Sequence, residues 1–175
     1  LPWRIAKCRS LRQLHLDGNA LGELPFEFRG LAKLEVLELG YNAFVEFPVR
    51  VCSLPALREL GLARNQIEDL PTTIGWDLPE LEVLDLTDNL VRTIPESMGR
   101  CVKLERLLLA ANRIETFPGE LARLTRLRAL FVGGNRFRRG PTEDKGVVHG
   151  VLAAIAARPG VLVDVVCQEN REANT

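Results

Sequence analysis

Leu11-Arg-Gln-Leu-His-Leu-Asp-Gly-Asn19 decides how this chain folds, because the chain writes the same pattern, L-x-x-L-x-L-x-x-N, repeatedly. It returns at Leu34–Asn42, Leu57–Asn65, Leu81–Asn89 and Leu104–Asn112, and once more at Leu127–Asn135 with Val132 in the third apolar slot. The starts lie 23, 23, 24, 23 and 23 residues apart, with the one slip near Trp76–Asp77. A fixed period of this length marks stacked structural units, each contacting only its neighbours.

Each unit divides in two. Alternation such as Leu14-His-Leu16, Leu37-Glu-Leu39 and Leu84-Asp-Leu86 predicts a short strand with one buried face. Successive strands should stack in parallel about 4.8 Å apart. The closing asparagines (19, 42, 65, 89, 112, 135) are expected to turn inward and bond backbone groups that the bend leaves unpaired. The second half reads N-x-φ-x-x-φ-P, with φ apolar, and its prolines recur at 25, 48, 71, 95, 118 and 141. Fixed φ and a missing N–H suit an outer corner that opens a short helical or 3-10 turn. No single unit can bury its own core, whereas six stacked ones can.

The pattern changes after Asn135. Apolar residues at Val147, Val148, Val151, Leu152 and Ile155 argue a helix, with Thr142 as N-cap and Pro159-Gly160 as the stop, followed by a strand over 161–166. Residues 1–141 are therefore expected to form a partial first repeat plus six copies, 142–167 a C-terminal cap over the open sheet edge, and 168–175 a disordered tail. The start at Leu1-Pro-Trp-Arg-Ile5 looks like the back half of an earlier repeat, which implies an excerpt.

Composition narrows the class further. Only 6% of residues are aromatic, so Leu and Val must fill the core. No apolar run approaches the roughly 20 residues a membrane span needs. Four cysteines show no C-x-x-C pair; Cys8 and Cys101 occupy a slot that other units fill with leucine, so they read as small buried apolar groups. With no N-x-S/T sequon either, a reducing compartment, the cytoplasm, is expected. The formal net charge of zero hides an asymmetry, since residues 11–99 hold 15 Asp/Glu against 7 Lys/Arg and residues 100–140 hold 3 against 10. Such a field steers partners.

The L-x-x-L-x-L-x-x-N-x-φ-x-x-φ-P-x-x-φ-x-x-L unit resembles the intracellular leucine-rich repeats of the Ras-suppressor and Shoc type. It departs from plant receptor ectodomains, which carry Gly-x-Ile-Pro where this chain has Leu-Pro, Phe-Pro or Ile-Pro. The resemblance implies an α/β solenoid, a horseshoe with a parallel concave sheet and short convex helices or 3-10 turns. It also implies a cytoplasmic scaffold or adaptor surface with no catalytic residue to transfer.

Function should then sit on the variable strand positions that face the concave side. One row is His15, Glu38, Gly61, Asp85, Leu108 and Phe131; another holds Gln13, Val36, Glu59, Val83, Arg106 and Ala129; a lip row runs Gly18, Tyr41, Arg64, Asp88, Ala111 and Gly134. The first four repeats look acidic. Leu108 and Phe131, flanked by small residues, are expected to be exposed as a shallow apolar dish for a partner side chain, or else covered by the chain's own cap or a neighbouring domain. Tyr41, Arg64, Asp85, Asp88, Arg106, Leu108 and Phe131 are the candidate partner-binding residues. A row at Arg12, Glu35, Arg58, Glu82, Glu105 and Arg128 reads as a surface salt ladder. The basic run Arg136–Arg139 beside Arg113 reads as a solvated face or as a surface for acidic protein, phospholipid or RNA phosphate; with Phe137 claimed by the core pattern no stacking aromatic is left, so no nucleic acid is expected. His15 and His149 lie far apart without ligands at metal spacing, and no Walker loop, G-x-S-x-G or kinase signature is present. Neither metal, cofactor nor enzyme activity is expected. A monomer or a subunit of a hetero-complex fits best, as a non-catalytic protein-interaction module. The alternatives are the targeting or regulatory arm of a larger signalling enzyme (kinase, phosphatase, GTPase or ubiquitin ligase) and a structural subunit of a cytoskeletal or ciliary assembly.

Overall fold

A computed structural model of the chain describes residues 1–137 and 144–164. Seven three-residue strands form one parallel sheet in sequence order: β1 Gln13–His15, β2 Val36–Glu38, β3 Glu59–Gly61, β4 Val83–Asp85, β5 Arg106–Leu108, β6 Ala129–Phe131 and β7 Leu162–Asp164. The register keeps the central residues in line, Leu14, Leu37, Leu60, Leu84, Leu107, Leu130 and Val163. The leucines two residues after this line share its inward face, as period-2 alternation demands, and those three residues before it turn inward at the strand entry. Leu34, Leu37, Leu39, Leu57, Leu60, Leu62, Leu84, Leu86, Leu107 and Leu109 are all sealed from solvent. The result is a leucine-rich repeat solenoid.

On the convex side Trp3–Lys7, Phe26–Gly30, Val49–Ser53, Glu96–Arg100 and Gly119–Arg123 are 3-10 turns, each preceded directly by proline. The third residue after the proline packs inward, fully in Phe28, Val51, Met98 and Leu121 and partly in Ile5. The slip in the period falls on the convex turn between β3 and β4. There the additional residue winds the chain into a true α-turn, α1 (Ile74–Asp77), with Leu78 N–H donating to the Ile74 carbonyl. One extra residue is what separates an i→i+4 closure from an i→i+3 closure. The inward residues Ile74 and Leu78 keep their places, and Trp76 is pushed out to 62% exposure.

The helix expected near the end is α2 (Asp144–Ala156), whose Val151, Leu152 and Ile155 are buried. It packs on the last 3-10 turn and on β7. Arg158 fastens it there by donating to the Leu124 and Ala122 carbonyls, at 2.7 and 2.5 Å. Gly160 turns the chain into β7 at φ +76°. The expected N-cap Thr142, the side chains of Val147 and Val148, the end of the final strand at 165–166, Cys167 and the tail 168–175 lie outside the described residues or side chains.

Asparagine does what the sequence suggested. Asn89 donates to the carbonyls of Leu86 and Thr87 in its own bend and of Leu62 one coil earlier, while its Oδ1 accepts the Ile67 N–H. Asn42, Asn65 and Asn112 repeat all four contacts. Asn135 also reaches back, to the Leu109 carbonyl and the Ile114 N–H. Asn19 in the first coil makes only the two local bonds.

The residue before each asparagine carries a feature that composition hides. Gly18, Tyr41, Arg64, Asp88, Ala111 and Gly134 all sit in the left-handed region, with φ from +53° to +72°. Four of these six positions therefore hold side chains in a conformation that costs roughly 1–2 kcal/mol. Ala111→Gly is expected to stabilise the fold by about 0.5–1 kcal/mol, the relief of that strain less the extra backbone entropy glycine loses. Urea denaturation of the variant measures it; a lower midpoint would contradict the reading.

Two expectations need correction. Cys8 on the first described convex turn is exposed, whereas its counterpart Cys101 is buried between neighbouring turns. The predicted salt ladder is instead three separate cross-coil pairs: Arg12–Glu35, Arg58–Glu82 at 2.6 Å and Arg128–Glu105 at 3.7 Å. The gap between Glu35 and Arg58 stays open because Arg58 turns to Glu82, and that between Glu82 and Glu105 because the two charges are alike.

Candidate functional site: the concave sheet

The third residue of each strand faces the concave side, so register sets Glu38 beside Gly61, Gly61 beside Asp85, Asp85 beside Leu108, and Leu108 beside Phe131. At the lip the structure joins three of the candidate residues. The Arg64 guanidinium lies 4.9 Å from the Tyr41 ring centroid and 3.6 Å from the Asp88 carboxylate. Their side chains form a rail across three consecutive coils, presented by the left-handed turn residues themselves. Tyr41 remains 56% exposed. Arg106 is exposed at the entry of β5, on the opposite margin of the sheet from this rail.

The apolar dish is not as expected. Leu108 is 9% exposed, and Phe131 is half-buried. Leu108 does not point into the core, since Leu107 and Leu109 do that; it stands on the concave side, flanked by Asp85 on β4 and Phe131 on β6, and these neighbours leave it little open surface. The chain's own terminal helix is not the cover, because among the described residues α2 contacts the last convex turn and β7. β7 instead extends the face and sets the exposed Asp164 beside Phe131.

Acidic groups dominate the first four strands. The Glu38 carboxylate lies across Gly61, where a Cβ would fall 1.6 Å from Oε2. Burial foremost, then the negative charge of Asp17, raises the Glu38 pKa above the usual carboxylate value; His15 opposes this, while Asp85 and Glu59 add to it. A carboxyl raised in this way binds its proton more tightly in the folded state, so its ionised form is a burden at neutral pH. Glu38→Gln is expected to raise the denaturation midpoint at pH 7. The gain should vanish below about pH 4, where Glu38 is protonated folded and unfolded alike. A variant equally stabilised at pH 3 and pH 7 would refute the electrostatic cause.

The remaining reactive groups are quiet. Burial pushes the Cys101 thiol up to about 12, and burial together with Asp77 does the same to Cys52, so neither is a ready thiolate. Among the described residues no cluster of His, Cys, Asp and Glu fits a metal ion, and no helix is long and apolar enough to cross a membrane.

The leucine rich repeat family matches residues 9–67, 55–114 and 79–137, and the chain belongs to that family. No curated protein sequence matches with comparable significance. Among solved structures, a leucine-rich repeat protein of Leptospira interrogans is 28% identical, with a TM-score of 0.55, over 94% of this chain and 51% of that one. An internalin of Listeria monocytogenes shares the fold at a TM-score of 0.73 and 22% identity, over 97% of this chain and 46% of its own. The ectodomain of an Arabidopsis thaliana receptor kinase, solved in complex with Casparian strip integrity factor 2, is 31% identical with a TM-score of 0.69 over 77% of this chain and 17% of that one. The chain thus spans about half the length, or less, of the structures it matches. Leucine-rich repeat domains are typically non-catalytic and generally bind other proteins.

Proposed function

We propose that the chain is an intracellular scaffold or adaptor of the Ras-suppressor and Shoc type, binding one protein partner through the concave face. The observation that carries this reading is the face itself. It combines the exposed Tyr41–Arg64–Asp88 rail, the carboxylates of Asp17, Glu38, Glu59 and Asp85, and the half-buried Phe131 with no enclosed chemical site. A partner segment with lysine or arginine side chains and one apolar anchor complements it. The receptor kinase ectodomain solved with Casparian strip integrity factor 2, and a plant peptide hormone receptor of the same architecture solved with RGF2, support recognition of a partner by this fold. The receptor kinase also favours a second reading, in which the repeats are the recognition arm of a larger signalling enzyme; a catalytic sequence continuous with this one would decide for it.

Affinity purification from cytoplasmic extract tests the leading reading. Asp85→Lys with Asp88→Lys and Phe131→Glu should remove a discrete co-purifying protein while circular dichroism stays native. Undiminished recovery would exclude the concave face, and recovery only from membrane or secreted fractions would exclude the cytoplasmic assignment.

A further inference from the structure

The α-turn on the convex side brings an aromatic ring and two arginines to one edge of the solenoid. Trp76 is the most exposed large apolar side chain among the described residues, and Arg100 stacks on it with its guanidinium carbon 3.5 Å from the ring centroid. Stacking consumes one guanidinium face and leaves the in-plane N–H donors free. A groove of about 440 Å³ opens beside this pair, toward Pro95 and on to Arg123.

Its floor is rigid. A Cβ on Gly75 would fall 1.7 Å from the Ser97 carbonyl oxygen, and one on Gly99 would fall 2.3 Å from that of Glu120. The backbones of α1, Glu96–Arg100 and Gly119–Arg123 are therefore in direct contact, and only glycine allows it.

Charge defines what the groove can hold. Opposite charges pair across several neighbouring coils, as in Arg92–Glu68 at 2.9 Å and Lys103–Glu80 at 2.5 Å. Arg100 and Arg123 instead occupy equivalent places on adjacent turns, like charge beside like charge, and neither has a carboxylate within 4 Å among the described residues. An anion between them relieves that repulsion. The surrounding segment, residues 100–140, holds 10 Lys/Arg against 3 Asp/Glu, a field that draws acidic ligands to this end. Glu96 and Glu120 also line the groove and oppose such a ligand.

We infer that this convex groove is a second docking site, for an acidic peptide segment of a partner protein. A carboxylate is held by Arg100 and Arg123, and a neighbouring apolar side chain lies on the open face of Trp76. The site is independent of the concave face, and its occupant has the opposite charge.

The probe is a blocked pentapeptide of four glutamates around a central phenylalanine, titrated against the full chain carrying Trp3→Phe so that Trp76 alone reports. A saturable fluorescence change is expected, weakened roughly fivefold or more by Arg100→Gln or Arg123→Gln. Glu120→Gln should tighten binding, which a merely structural role would not do. Native circular dichroism and an unchanged urea midpoint certify each variant. No saturable change at millimolar peptide overturns the inference, as does equal binding of a pentapeptide with lysine in place of glutamate. A concentration-dependent dimer in sedimentation, abolished by Trp76→Ala, would hand the groove to a second copy of the chain and overturn it equally.

Discussion

Asn89→Ala is expected to destabilise the protein by roughly 3 kcal/mol or more, among the largest effects any polar substitution here should have. Asn89 is 4% exposed, and its amide satisfies three carbonyls and one N–H drawn from two coils. Alanine leaves these buried backbone groups without a partner, and each such group costs about 1–3 kcal/mol unless water enters. Asn19→Ala is the internal control. Its amide makes two bonds at an exposed bend, so its loss should cost about 1 kcal/mol or less. Chemical denaturation of both variants under one set of conditions gives the comparison. Equal losses would mean that the amide's reach into the preceding coil contributes nothing.

Leu86→Ala should cost about 2–5 kcal/mol, the range for emptying a sealed leucine site. Leu86 is wholly inaccessible and sits midway along the sheet, so its cavity weakens contact with the coils on both sides. Leu14→Ala, on the terminal and only partly covered strand β1, should cost distinctly less. A further signature distinguishes the central substitution. Because stability in such arrays sums over neighbouring units, weakening the middle should broaden the urea transition as the two ends part company. A sharp, parallel shift would instead report a chain that melts as one body.

How far the sequence discloses this molecule depends on what repeats. Strand, inward asparagine and outer turn recur in every coil, so Leu37, Asn65 and Pro95 could be placed by comparison with their counterparts. Properties set by a single neighbour could not. The left-handed turn at Tyr41, Arg64, Asp88 and Ala111 is invisible in those four names, and only Gly18 and Gly134 in the same column hint at it. Leu108 was expected to be exposed because its column faces outward. Its real cover depends on the bulk of Asp85 and Phe131 beside it, which alternation cannot weigh. Trp76 shows the converse. The period slip located it, but whether the chain would loop or tighten into α1 required the backbone. The repeat likewise fixes the family without fixing the subtype, since bacterial and plant proteins share the architecture.

The strand bonds and the asparagine contacts both run from coil to coil, along the length of the solenoid. Tension applied at the two ends would load these links in series, peeling the molecule from an extremity. Each rupture would free one 23-residue unit, about 80 Å of extended polypeptide. The protein should thus behave under load as a ratcheted tape that lengthens in even increments and rewinds onto whatever coils remain.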